Sequence, residues 1–169
     1  MQMELYILRH GIAMERADWS RRSDRDRPLT GEGRKKTRRV ASAMLKLDLR
    51  FDWILSSPYA RARETAEIVA DVLKLKQRLE LRDELIPERN AKALAKLLAT
   101  RPKAAGSVLI VGHEPFLSRF ASVLLAGKPS SRMVLKKGGL CKLQISQFRW
   151  GVCAVLEWLM TPQQLTRLG

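Results

Sequence analysis

The chain is short of several residue types, and each shortage narrows what it can be. It has two cysteines, Cys141 and Cys153, and no C-x-x-C spacing. In a reducing cytosol these read as buried apolar residues, not as metal or redox ligands. No apolar run approaches the roughly 18–20 residues that span a bilayer. The opening Met1-Gln2-Met3-Glu4 has neither a basic n-region nor a long apolar h-region, so a cytoplasmic protein with no membrane contact is expected. Aromatic residues make up 6% and do not interleave with the basic ones, which argues against a nucleic-acid stacking platform. Repeats, low-complexity tracts and linkers are absent, and one domain over residues 1–169 is expected. Acidic residues are scarce, 17 against 32 basic, for a net charge of +15. That excess fits either a solvated basic surface or attraction for an acidic partner or substrate. Histidine is as scarce as cysteine, at two residues, His10 and His113.

What is present alternates between two periods. Leu5 to Leu8, Phe51 to Leu55 and Val108 to Val111 read as buried strands, and Leu79 to Leu81 as a short one. Helices are expected after Thr30, which can cap, and over 60–75, 91–99 and from Glu114-Pro115 to Leu125. The first carries an apolar stripe of Val40, Ala43, Met44 and Leu47. The tail holds two β-like segments, 140–145 and 152–159, and a last helical turn near 163–168. Strands alternating with helices predict a three-layer α/β sandwich, its largely parallel central sheet flanked by helices. In such sheets reactive groups collect beyond the C-terminal ends of the strands. Arg9-His10, Ser56-Ser57 and His113 all fall there.

Arg9-His10-Gly11 ends the first apolar run. A ring nitrogen there can attack phosphorus, and a guanidinium can hold phosphoryl oxygens; a histidine in such a loop can also be purely structural. Gly112-His113 ends a second buried run in the same way. Arg61 falls in the first turn after the second strand, where its guanidinium could join Arg9 in a clamp on a tetrahedral dianion. Its other reading is a surface arginine beside Glu64. Arg63 points elsewhere.

These segments resemble the histidine phosphatase superfamily, which holds the phosphoglycerate mutase-like enzymes. The resemblance rests on Arg9-His10-Gly11, on Ser57 to Ala66 with its R-A-x-x-T-A core, and on Gly112-His113. Arg27-Pro28-Leu29-Thr30, Ser56-Ser57-Pro58, Glu84-Leu85 with Pro87, and Val111 to Pro115 are most similar to the small SixA-type phosphohistidine phosphatases. The resemblance implies a phosphoglycerate mutase-like fold. It implies His10 as nucleophile, forming a covalent phosphohistidine that water hydrolyses. Arg9, Arg61 and His113 would bind the phosphoryl oxygens, with no cofactor and no metal. The second ring nitrogen of His10 should be held by a backbone carbonyl near Gly11 or Ile12. Glu84 is a possible leaving-group acid, a substrate contact or a structural residue.

The implied substrate is a phosphohistidine protein of a phosphorelay or phosphotransfer system. A small phosphorylated metabolite is the alternative, and a non-catalytic polyanion-binding module a further one. The loop from Glu15 to Arg27 leaves the edge of the site. It is expected as a mobile flap anchored by Trp19, with Arg21 or Arg22 touching an acidic protein substrate.

Overall fold

The structure, a computed structural model, describes residues 2–102, 104–130 and 133–168; Met1, Lys103, Ser131, Arg132 and Gly169 lie outside the described residues. Six strands form one sheet: β1 (Met3–Arg9), β2 (Trp53–Ser56), β3 (Leu79–Leu81), β4 (Ser107–Gly112), β5 (Leu140–Ile145) and β6 (Ala154–Met160). Their spatial order is β3-β2-β4-β1-β5-β6. The first four are mutually parallel, while β5 and β6 run antiparallel at one edge.

Among the described residues five α-helices cover the sheet: α1 (Gly31–Lys46), α2 (Ala60–Val72), α3 (Ala91–Ala99), α4 (Phe116–Ala126) and α5 (Pro162–Leu168). The strands sort their side chains by alternation, as buried two-faced strands must. Leu5 and Ile7 of β1 join α3 and α4 residues such as Leu94, Leu98, Phe116 and Phe120 in one core. Tyr6 and Leu8 face the other way, into a second core with Val40 and Met44 of α1, Ala66 and Val69 of α2, and Leu165 of α5. This is the expected three-layer α/β architecture.

Two helix boundaries differ from the sequence pattern. The stripe of α2 continues to Leu75, but the helix ends at Val72. Lys74 takes a left-handed conformation at φ 57°, and the Leu75 amide turns back to the Ala70 carbonyl at 2.7 Å. The last helix on the α4 side begins at Phe116, with Pro115 just outside it.

The register brings the site together. Arg9 pairs with Gly112, and Ser56 with Val111, so β1, β2 and β4 end flush at one edge. Helix α1 packs hard against the loop that leaves β1. Thr30 caps it by accepting from the Gly33 amide at 2.9 Å. A Cβ on Gly33 would sit 2.0 Å from the Ile12 carbonyl oxygen, and one on Gly11 would sit 2.5 Å from Thr37 Oγ1. Only glycine permits that approach at either position.

Candidate active site

His10 is the first residue beyond β1, and its amide bonds to the Gly112 carbonyl of β4 at 3.0 Å. The ring is buried. Its Nδ1 donates to the Gly11 carbonyl oxygen at 2.7 Å. That bond sets the tautomer and leaves Nε2 with a lone pair and no partner among the described residues. The loop beneath it is fixed from α2: Thr65 Oγ1 accepts from the Gly11 amide at 3.0 Å and donates to the Arg61 carbonyl at 2.7 Å.

His113 follows β4, with its ring centroid 5.2 Å from that of His10. Its Nε2 lies 2.8 Å from Ser57 Oγ. Tyr59 packs edge-on against the same ring at 5.3 Å. Arg61 is buried in the first turn of α2 and points back to the strand ends. Its Nη1 and Nη2 donate to the Asp24 carbonyl and to Asp24 Oδ2, at 2.8 and 3.0 Å. Arg9 donates from Nη1 to the Leu135 carbonyl at 3.0 Å.

These four side chains line one cavity of about 450 Å³, shared with Arg27 and Lys137 among the cations and with Asp24, Glu88 and Glu114 among the anions. Three buried nitrogens have no hydrogen-bond partner here: Arg9 Nε, Arg61 Nε and His113 Nδ1. Buried polar atoms are rarely left unpaired, and a cluster of them calls for a ligand. All three sit on the residues that line this cavity. Two belong to guanidiniums, and guanidiniums are permanent donors. An oxyanion is an acceptor that both guanidiniums could take.

Charge and burial tune the same groups. Burial pushes the His10 imidazolium down to about 3, and the Arg61, Arg9 and Arg27 charges add to it against the bond to Gly11. His113 falls to about 2 for the same first reason, with His10 and Arg61 contributing. Both rings are therefore neutral at neutral pH. Burial also lowers Arg9 and Arg61, opposed by Glu114 and by Asp24 respectively. Burial alone would raise Asp24, but the hydrogen bond and charge of Arg27 and the charge of Arg61 hold it below the ordinary carboxylate range.

The family model of the histidine phosphatase superfamily (branch 1) matches residues 5–87. An uncharacterised protein of Picosynechococcus sp. is 39% identical over 84% of this chain and 85% of its own length. Phosphohistidine phosphatase SixA of Escherichia coli is 32% identical over 75% of this chain and 76% of its own. The chain belongs to the histidine phosphatase superfamily. The solved structure of the protein histidine phosphatase SixA complexed with tungstate superimposes with a TM-score of 0.83 at 27% identity. It covers 96% of this chain, and 99% of the SixA chain is matched. No helix of the described residues is long and apolar enough to cross a membrane.

Within this histidine phosphatase, Arg9, His10, Arg61 and His113 meet at one place. Glu84 does not join them. It is half-buried in a single helical turn, Asp83–Leu85, and does not line the cavity. The carboxylate that reaches the rim from this segment is Glu88, whose Oε2 accepts from the Tyr59 hydroxyl at 3.0 Å. Arg21 is exposed, and Arg22 stacks over the Trp19 ring at 4.6 Å, so neither lines the cavity.

Trp19 does not anchor its loop on the body of the protein. Its Nε1 donates to the Ser23 carbonyl at 2.9 Å, inside the loop itself. The tie is Asp24, through Arg61, reinforced by Arg27 donating to Asp24 Oδ1 at 2.8 Å and to the Met14 carbonyl at 2.6 Å. Exposed ion pairs hold a loop weakly, but the Arg61 side chain is only 5% exposed, so this pair is of another kind. Sequence reasoning missed Asp24 and Ser57 as site residues. Ser57 carried a usable signal, its place at a strand end before Arg61; Asp24 carried none.

Proposed function

We propose that this phosphatase removes phosphate from a phosphohistidine side chain of a protein, through a covalent phosphohistidine on His10. The observation that carries the reading is the His10 ring: neutral, held by Gly11 through Nδ1, with Nε2 left free beside two unpartnered guanidinium donors and the unpartnered His113 Nδ1. Nε2 attacks phosphorus, and the P–N bond to the substrate imidazole breaks. Arg9, Arg61 and His113 hold the phosphoryl oxygens and stabilise charge that develops on them; one such donor is worth about 3–4 kcal/mol elsewhere. Water then attacks phosphorus. Its hydroxyl goes to phosphate, the P–Nε2 bond breaks, and the proton that water gives up to solvent replaces the one the substrate imidazole took from solvent as it left. His10 returns neutral. Both steps are displacements at one held phosphorus, which is the benefit of covalent catalysis.

Asp24 orients Arg61 from its Nη side, which leaves the Nε edge for the substrate oxygens. The hydroxyl of Ser57 orients His113. An imidazole leaves more readily than an alkoxide, so the reaction does not need a strong acid at Glu84. The SixA relatives support the substrate class, and tungstate in the SixA complex is a tetrahedral oxyanion of the kind the site would hold. The same reading expects a cytoplasmic enzyme that uses only its own side chains.

Purified protein should turn over an acidic phosphotransfer protein phosphorylated on histidine faster than any member of a sugar phosphate panel. Quenched enzyme should carry an acid-labile, base-stable phosphate, absent from the His10→Ala variant. A higher rate on a sugar phosphate would assign the site to small metabolites. An active His10→Ala variant would remove the covalent step.

A further inference from the structure

Beside the catalytic cavity lies a second concavity of about 340 Å³, and the two share Pro87. A third, of about 330 Å³, continues from it along α3 to the turn before β6, sharing Lys92 and Trp150. The three form one track across the surface. Helix α3 alone adds about 13 Å to its length.

The chemistry of the track differs from that of the catalytic cavity. Its floor is apolar, with Phe116, Phe148 and Trp150 beside the alanine face of α3, and Trp150 is 42% exposed. Its rim carries Arg89, Lys92, Lys96, Arg119 and Arg149, with no acidic residue lining either concavity. None of these five cations makes an ion pair among the described residues. On the opposite layer several cations are matched: Arg34 pairs with Glu64 at 2.8 Å, Lys76 with Asp71 at 2.6 Å and Arg63 with Glu67 at 3.7 Å. Part of the excess charge of this protein is thus displayed beside the active site, over apolar surface, on and around α3 and α4. Interfaces combine an apolar centre with a polar rim in this way, and complementary charge steers partners together.

We propose that this track is the docking surface for the phosphohistidine protein, which lays an acidic, partly apolar face along α3 and α4 while its phosphohistidine enters the cavity past Pro87. The proposal rests on the phosphohistidine phosphatase reading. It gives five of the protein's cations a use, and it ties specificity to residues outside the chemistry.

The test is the Lys92→Glu/Arg119→Glu double variant, assayed on an acidic phosphotransfer protein phosphorylated on histidine and on phosphoramidate. Both positions are exposed, and an acid in the first turn of α3 suits a helix start that has none. On the protein, kcat/KM should fall about tenfold or more, and its salt dependence should weaken. Phosphoramidate turnover should be unchanged, which also shows that the variant is folded. Trp150→Ser should lower kcat/KM on the protein with the salt dependence kept. Equal losses on both substrates, or none on the protein, overturn the docking surface. If wild-type enzyme ignores the phosphoprotein, the phosphohistidine reading falls and the docking surface with it. Binding of an RNA oligomer that the double variant loses, with no change on the protein, assigns the surface to nucleic acid and overturns the proposal.

Discussion

Stability should fall between pH 7 and pH 5, and the two histidines should account for the fall. Both rings are buried neutral: His10 is pushed from 6.5 to about 3, and His113 to about 2. The unfolded chain titrates near 6.5, so in this window it binds protons that the folded chain does not. The contribution is complete above the unfolded pKa and is lost as pH falls toward the folded values. Integrating that difference gives about 2 kcal/mol for each ring between pH 7 and pH 5, or about 4 kcal/mol for the pair. Against a total of about 5–15 kcal/mol, this is a large share. No third histidine confuses the measurement. Urea melts followed by tryptophan fluorescence should show the midpoint dropping by about 2 M, for a slope near 2 kcal/mol per M. A His10→Gln/His113→Gln variant should lose this dependence. Saturating phosphate should flatten it, since a bound anion favours a protonated ring. Equal wild-type midpoints at the two pH values, or a double variant that keeps the full slope, would refute the argument that burial holds these rings neutral.

Ser57→Ala removes the partner of His113 Nε2 and leaves a buried nitrogen unpaired, at a cost of about 1–3 kcal/mol in folding stability. Turnover should fall while KM changes little, and equal changes in both would show that Ser57 does not position His113. Glu84→Gln should leave rates on phosphohistidine and phosphate esters within about twofold, whereas Glu88→Gln should slow esters selectively if the rim carboxylate protonates an alkoxide. A selective ester loss in the Glu84 variant instead would restore Glu84 as the acid. Arg21→Ser/Arg22→Ser should reduce activity on an acidic protein substrate in a salt-dependent way and spare phosphoramidate, because both residues lie outside the cavity. Equal effects on the two substrates would reject a docking role for that loop.

Much of the architecture was legible because buried parallel strands leave a plain mark. Leu5 to Leu8 and Val108 to Val111 are apolar on both faces, and both faces are covered by helices. The pair His10 and His113 stood out through scarcity and through their places after two buried apolar runs, and the flush strand ends then brought them within ring contact. Arg61 needed the motif, since spacing along a helix could as well have paired it with Glu64. In the structure Glu64 takes Arg34 instead, and Arg61 is left for the site. The end of α2 was not legible. Its stripe runs on through Leu73 and Leu75, and the left-handed turn at Lys74 comes from packing, without a glycine to announce it. The place of Glu84 was hidden for a similar reason. Leu85 is buried, and the single turn that buries it leaves Glu84 off the cavity while the chain carries Glu88 to the rim.

Asp24 shows where local reasoning stops. In sequence it is one of several acidic residues in a charged loop, and any arginine nearby could have taken it. What selects it is the depth of its partner. A guanidinium buried as deeply as that of Arg61 needs acceptors, because removing a charge from water without compensation is costly. Asp24 supplies two, a carboxylate oxygen and its own carbonyl, from 37 residues away. It can do so because Arg27 holds both that carboxylate and the Met14 carbonyl, and because Ala13 bridges Leu29 at the base of the loop. The loop is therefore shaped by the charge it must satisfy, and its position beside His10 follows from the burial of Arg61. A site that needs buried cations for phosphate also needs something to hold them when phosphate is away. In this protein the segment directly after His10 meets both needs, which ties the loop to the cavity that His10 and Arg61 line.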